Sequence, residues 1–404
     1  MSRVETTTNC RDSDGVDLGK KLITKDYLIS VYPSIGEQIG IPPELWTWGY
    51  GTLGQLGNAT ITNTSTPVTT SAGGSNWKQV SSSGYHTAAI KTDGTLWTWG
   101  HANEGQIGNA VTTNRSTPVT TFAGGTNWKQ VSSGSAHTAA IKTDGTLWVW
   151  GSGNSGRLGN AVTTNASTPV TTFAGGTNWK QVSGGRFHTA AIKTDGTLWT
   201  WGRGSFGQLG NARFANISTP VTTFAGGTNW KQVSSGGYHT AAIKTDGTLW
   251  TWGRSAAGEL GNAAITDRTT PVTTFAGGNN WKQVGCGQIH TAAIKTDGTL
   301  WTWGSGSSGE LGNAAITNIS TPVTTSTGGT NWKQVAGAGR NTAAIKTDGT
   351  LWTWGLANEG QLGNAVITNR STPVTTFAGG TNWKQVSCGF YHTAAIQSVD
   401  FAGF

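Results

Sequence analysis

The chain is poor in the residues that build helices, crosslinks and membrane spans. It has one Met, three Cys and ten Pro in 404 residues, and no long Leu- or Ala-rich run. No stretch approaches the roughly 20 apolar residues a membrane helix needs, so no membrane insertion is expected. The opening MSRVETTTNCRDSDG lacks the apolar core of a secretory signal. Cys10, Cys286 and Cys388 do not suggest a disulfide framework, because the last two occupy the same position of a repeat, two repeats apart. Charged residues are only 11% of the chain. The net charge is +8, with 22 basic and 12 acidic residues over 45–404 against five and seven over 1–44. Repetition spreads the basic excess instead of gathering it into one patch, and no nucleic-acid partner is expected.

What is present is glycine, at 61, tryptophan, at 21, and a strict period. The first Trp of WTWG or WVWG stands at 46, 97, 148, 199, 250, 301 and 352, always 51 apart, and the Trp of NWKQV keeps the same spacing from 77 to 383. No unit has an insertion. Each unit suggests four short strands: in the first, PVTT (67–70), NWKQVSS (76–82), HTAAIKT (86–92) and TLWTWG (95–100). Thr-Asp-Gly supplies the turn of the last hairpin, with Gly94 free to take a positive φ. Trp97 and Trp99 alternate along one strand, share a face and can fill a wedge between sheets.

Four short strands repeated seven times predict an all-β fold, a seven-bladed β-propeller. One copy of the repeat is split: LWTWG stands alone at 45–49 and HTAAI closes the series at 392–396. A ring has no ends but a chain has two. The strand 45–49 is therefore expected to join the C-terminal PVTT, NWKQV and HTAAI strands and latch the last blade, which also hides a sheet edge. An open solenoid is the alternative, but it needs no complementary half-repeats. The expected organisation is a short non-propeller extension over 1–44 and a propeller over 45–404.

Near-identical units let the chain serve as its own alignment. Two places vary freely: the four residues after WG, and the two residues before the His position. Hairpin geometry puts both on one rim of the ring, opposite the TDG turns. All four Tyr after residue 44 fall there: Tyr50, Tyr85, Tyr238 and Tyr391. So do Arg186, Arg203, Arg254 and Arg340, with Phe187, Phe206 and Phe390 beside them. Tyr and Arg give large contacts at low entropy cost, so these eleven side chains are candidates for binding a cell-surface glycan or protein. Drift of tolerant loops after duplication is the competing explanation.

Other recurrent groups suggest framework. His86, His137, His188, His239, His290 and His392 recur one blade apart, too far to converge on a metal. A hydrogen bond within each blade is expected, with Asn341 able to substitute in the seventh. The TDG aspartates suit turns. The NxS asparagines at 63, 114, 165, 216, 318 and 369 suit turns as well. No acid pair, nucleophile–base set or phosphate-binding loop stands outside the repeat, so neither catalysis, a cofactor nor a metal is expected.

Trp48-Gly49 with Gly54-Gln55-Leu56-Gly57, and the run from Gly84 to Gly100, resemble the regulator of chromosome condensation repeat family across about 45–397. That resemblance implies a seven-bladed propeller with a latched blade. The family's founding member is an exchange factor for the Ran GTPase that binds nucleosomes; other members are scaffolds or regulators, and fold alone does not choose among them. Exchange there uses a wedge inserted into the propeller and chromatin binding a basic tail, whereas units here are uniform and residues 1–44 slightly acidic. Within that extension, Leu22, Ile23, Tyr27, Leu28, Val31 and Tyr32 are candidate anchor residues, on a short helix ending before Pro33 or in a flap packed on the ring. The run DGVDLGKKLITKDYLISVYP resembles openings of phage virion-associated proteins. It implies a virion fibre, spike or decoration protein docked through residues 1–44 onto a virion or other scaffold protein. A cytoplasmic bacterial scaffold and an exchange factor are the alternatives.

Overall fold

A computed structural model describes residues 9–11, 17–20, 43–73 and 76–398. The candidate anchors Leu22, Ile23, Tyr27, Leu28, Val31 and Tyr32 lie outside the described residues. Asn9–Arg11 and Asp17–Lys20 pair antiparallel as a small two-stranded sheet. Residues 43–398 form seven four-stranded antiparallel sheets.

In the first blade the order is Trp77–Ser83, His86–Lys91, Leu96–Gly100 and Arg115–Thr120. The PVTT strand therefore belongs to the LWTWG strand before it, with Trp97 opposite Thr120 and Thr98 opposite Val119, and not to the strands after it. After LWTWG the chain loops and returns antiparallel on the outside; after PVTT it crosses to the innermost position of the next blade. The closing blade changes accordingly. Glu44–Gly49 pairs with His392–Gln397, Thr47 opposite Ala394 and Trp48 opposite Thr393, and also carries Thr64–Thr69 as its outer strand. Each end of the repeat series thus supplies two strands, where the sequence alone suggested one and three.

The tryptophans fill the wedges between blades. Trp77, Val80, Ala89 and Trp99 are buried against Leu45, Ala394 and Ile396 of the closing blade. Burying one indole removes enough apolar surface to contribute roughly 4 kcal/mol before entropy is counted. Within a blade the Trp77 ring meets Trp99 edge-on, with centroids 6.1 Å apart. The Lys91 ammonium sits 4.9 and 4.7 Å from the Trp77 and Trp97 ring centres, a cation–π arrangement that recurs in six blades and is replaced by Gln397 in the closing one.

Polar belts bind blade to blade. The Gln79 carboxamide donates to the Val131 carbonyl at 3.2 Å and accepts from the Val131 N–H at 3.0 Å. Gln385 makes the same two-point clasp to Val80, closing the ring. The Trp99 indole N–H donates to the Gln55 carbonyl at 2.9 Å, and Trp48 repeats this to Gln361 at 3.0 Å across the closure.

The histidines form a third belt, and here the structure corrects the expectation of bonds within blades. His86 Nε2 lies 2.8 Å from Thr138 Oγ1 of the next blade, and His392 Nε2 lies 2.8 Å from Thr87 Oγ1. The hydroxyls of Thr87 and Thr138 already donate to the Gln55 and Gln106 carbonyls. Each ring must therefore donate from Nε2, and burial disfavours its charged form. Burial holds His86, His188, His239 and His392 down to about 3 and His290 to about 4.

Asn341 does not reproduce the bond: both its amide atoms are buried without a partner among the described residues. The reason sits three residues upstream. In five blades that position is Gly134, Gly185, Gly236, Gly287 or Gly389, and a Cβ on Gly134 would stand 2.1 Å from His137 Cε1; the His86 blade has Ser83 there, at the end of a longer inner strand, Trp77–Ser83. The Asn341 blade has Ala338 there. Its methyl takes the space an imidazole needs, so the shorter side chain goes with it.

Candidate recognition surface

One backbone bond builds the rim. The residue after each WG donates its N–H to the carbonyl of the residue before the His position: His101 to Tyr85 at 2.9 Å, Arg203 to Phe187 at 2.9 Å, Arg254 to Tyr238 at 2.9 Å and Tyr50 to Tyr391 at 2.8 Å. The glycine of WG makes this possible. Gly100 has φ of 105°, and a Cβ there would meet the Tyr85 carbonyl oxygen at 2.7 Å. Both variable places are thus fixed side by side at one end of the ring. The loops themselves are pinned from beneath, the Asn63 side chain accepting from Gly51 N–H at 3.0 Å and Asn114 from Ala102 N–H at 3.0 Å; this is what the sequon asparagines do in the fold.

Ten of the eleven candidate rim residues gather into two clusters. In the first, Tyr85 stacks on Tyr391 at 5.7 Å, Tyr50 lies 6.2 Å from both rings, and Phe390 is 6.5 Å from Tyr85. Burial, with Tyr391 and Tyr50 close by, pushes the Tyr85 phenol up from its usual value. In the second, Tyr238 packs against Phe187 at 5.5 Å and Phe206 at 5.4 Å. The guanidiniums of Arg186 and Arg203 lie 4.9 and 5.1 Å from the Phe187 centre, and that of Arg254 lies 5.4 Å from Tyr238.

Arg186 joins the two clusters. Its guanidinium donates to the Tyr238 hydroxyl at 3.1 Å and reaches 5.4 Å from the Phe390 ring, on a blade it does not neighbour in sequence. Arg186 and Phe390 also line the central cavity of about 200 Å³, whose wall is mostly serine and glycine of the inner strands, with Cys286 and Cys388 among the other lining residues. Both thiols are buried and pushed up to about 12, which makes them inert. Arg340 stays apart: it is exposed and stacks on no ring among the described residues.

Three rim residues were missed from the sequence: Arg157 and Glu259 lie outside the two variable places, and His101 lies in one of them but is neither Tyr, Arg nor Phe. Arg157 stands where other units have Gln or Glu, is 5% exposed, and lies 5.4 Å over Phe187. Burial lowers it to about 10. Glu259, at the same position two units later, is buried 3.5 Å from Arg254, and desolvation raises its carboxyl. His101 packs edge-on against Tyr85 at 6.2 Å. Comparing the GQLG positions across units would have shown GRLG and GELG as departures. Chemically the surface offers flat aromatic faces and guanidiniums. Among the described residues no group of three His, Cys, Asp or Glu could hold a metal, and no helix is long and apolar enough to cross a membrane.

A closed seven-bladed ring with a uniform frame and a varied aromatic rim defines a propeller of the protein-binding and regulatory kind. The chain belongs to the RCC1-like domain family: residues 43–330 match that domain and residues 348–396 match the regulator of chromosome condensation (RCC1) repeat. It is similar to the ultraviolet-B receptor UVR8 of Arabidopsis thaliana, 32% identical over 325 residues that cover 78% of this chain and 74% of the receptor. The mitochondrial RCC1 domain-containing protein RUG3 of the same plant is 28% identical, covering 79% of each. Among solved structures, human WBSCR16 matches with a TM-score of 0.76 at 19% identity, over 88% of this chain and 99% of that one. Yeast RCC1 (Prp20), solved bound to Kap60, gives 0.78 at 18%, over 88% and 89%. These structural likenesses concern the fold.

Proposed function

We propose that this protein is a non-enzymatic recognition module that binds a glycan or protein of a cell surface through the rim carrying Tyr50, Tyr85, Tyr238 and Tyr391. The observation that carries this is the gathering of every tyrosine after residue 44, with four stacked arginines, at the end where the units differ. Half-buried aromatic rings held by a rigid frame lose little freedom on binding. Loop drift alone accounts for variation but not for this enrichment. Repeated display of the ring would let weak single contacts add. A protein partner is equally compatible with the rim chemistry: a solved structural neighbour, Prp20p of Saccharomyces cerevisiae, has binding properties toward Gsp1p and histones. Guanine nucleotide exchange is disfavoured here because all units are 51 residues long and none carries a wedge.

The finer part of the reading is display on a phage particle, with residues 1–44 as the anchor and the virion as the location. It rests on the resemblance of DGVDLGKKLITKDYLISVYP to virion-associated openings. Stoichiometric copurification with capsid or tail proteins would support it; copurification with a soluble partner instead would favour the cytoplasmic scaffold. The recognition reading is tested by presenting the full chain multivalently to bacterial envelope glycans and proteins. A folded variant carrying Tyr85→Ala, Tyr238→Ala and Tyr391→Ala should lose the binding that the wild type shows. Unchanged binding by the variant, or none by the wild type, would refute it.

A further inference from the structure

Three guanidiniums converge on one phenylalanine. Those of Arg157, Arg186 and Arg203 lie 5.4, 4.9 and 5.1 Å from the Phe187 ring centre. Like charges so placed repel, and none of the three is ion-paired: among the described residues the ion pair within 4.0 Å is Arg254 with Glu259, in another blade. Glu104 acts on Arg157 from farther away and offsets part of the repulsion on it, while its carboxylate accepts from the Asn165 side-chain amide; Arg186 and Arg203 make no ion pair among the described residues. Arg157 cannot swing out to solvent. It is 5% exposed and donates to the Asn154 carbonyl at 2.9 Å and the Arg186 carbonyl at 3.2 Å.

Arg157 also costs its own loop. In other units the Gln or Glu at this position accepts the N–H two residues earlier: Gln55 from Leu53 at 3.0 Å, Gln208 from Phe206 at 2.9 Å and Glu310 from Ser308 at 2.7 Å. A guanidinium cannot accept. The third loop keeps the bond that closes the others, Gly156 N–H to the Gly153 carbonyl at 2.8 Å, but as a 3-10 turn over Asn154–Gly156 with Ser155 at φ 63°, ψ 10°. A lost bond and a strained non-glycine residue, with repulsion among three cations added, point to a ligand that repays them.

We propose that Arg157, Arg186 and Arg203 form an oxyanion subsite for the carboxylate or sulfate of an acidic sugar. This deepens the rim reading and rests on it. Guanidiniums bind carboxylates and sulfates through charged N–H donors; Arg157, with Nε and one Nη held by carbonyls, and Arg203, with Nε on Ser205 Oγ, would offer their remaining donors. The rings of Phe187, Phe206 and Tyr238 stand beside them and supply flat apolar faces for the C–H face of a pyranose. A neutral sugar would leave the cations unpaired, and a bare anion would leave the rings uncovered.

The test titrates the full chain, labelled with 15N-arginine, with glucuronate, glucose and acetate, following the arginine Nε–H resonances. Arg157→Gln is the matched variant, since Gln is what four other units carry there and the fold should tolerate it. Glucuronate should shift the resonances of the three arginines and bind more tightly than glucose or acetate. Arg157→Gln should weaken glucuronate about tenfold, a loss of one charge-assisted contact. No shift with glucuronate, affinity no better than that of acetate, or an undiminished response in Arg157→Gln would each overturn the subsite. The two readings separate cleanly. If the tyrosine variant loses envelope binding while Arg157→Gln changes neither the glucuronate response nor that binding, the rim stands and the anion subsite falls.

Discussion

The two ends of the ring are built by opposite rules. At the TDG end the units are copies. Each Asp accepts from the backbone and hydroxyl of the Thr two residues on, as Asp93 does from Thr95 at 2.9 and 2.7 Å. Each inner strand opens beside a TDG turn, Trp128 N–H donating to the Gly94 carbonyl at 3.0 Å, and then bulges. Trp77 faces Lys91 and Gln79 faces Ile90, so Lys78 is the extra residue and stands exposed, as Lys129 and Lys231 do in their blades. At the other end the same frame presents a different set of side chains on every blade. Repetition has fixed what closes the ring and left free what the ring shows outward. Phe122, Phe173, Phe224, Phe275 and Phe377, each about 70% exposed after an outer strand, belong to the copied class: only Ser71 and Ser326 depart from them.

The largest expected effect attacks the frame everywhere at once. The belt histidines are buried and neutral, with His86, His188, His239 and His392 held to about 3 against 6.5 when unfolded. Because the folded value is depressed, the unfolded chain binds protons first as pH falls. The stabilisation is whole above about pH 6.5 and lost progressively toward pH 3, by up to about 1.4 kcal/mol per histidine per pH unit. Urea unfolding at pH 7.5, 6 and 5 should show a steep fall; a flat stability between pH 7 and 5 would contradict the belt.

Next in size is a single frame position. Trp99→Ala removes a fully buried indole and its bond to Gln55, and should cost about 4 kcal/mol in denaturant unfolding. A smaller effect carries a sign test. Asn341→His alone should destabilise, because the Ala338 methyl occupies the ring's place. Adding Ala338→Gly should reverse this and exceed the wild type by about 1 kcal/mol, as the bond to Thr393 forms. Smallest of all in stability should be Tyr85→Ala on the rim, at about 0.5 kcal/mol, although it touches the surface proposed to bind.

Most of this architecture was legible because the period is strict. Spacing of 51 between tryptophans gave blade number, and the split copy gave closure. Strand grouping was not legible: PVTT lies between two candidate neighbours, and only its pairing with LWTWG decides between them. The histidine partner was hidden for a similar reason, since Thr138 is one repeat away from His86 and follows another His. Rim proximity followed from hairpin geometry. The convergence of Arg157, Arg186 and Phe390 did not, because it depends on side chains reaching between blades.

The central claim is that recognition belongs to the varied end and not to the copied one. The direct measurement compares binding to bacterial envelope glycans and proteins by three multivalently displayed full-length chains. One is wild type, one carries Tyr85→Ala, Tyr238→Ala and Tyr391→Ala on the rim, and one carries Lys129→Gln, Lys231→Gln and Lys333→Gln at the TDG end, all confirmed folded. The account predicts that the rim variant loses binding and the lysine variant keeps it. Binding retained by the rim variant and lost by the lysine variant would contradict it, and would assign recognition to the uniform face.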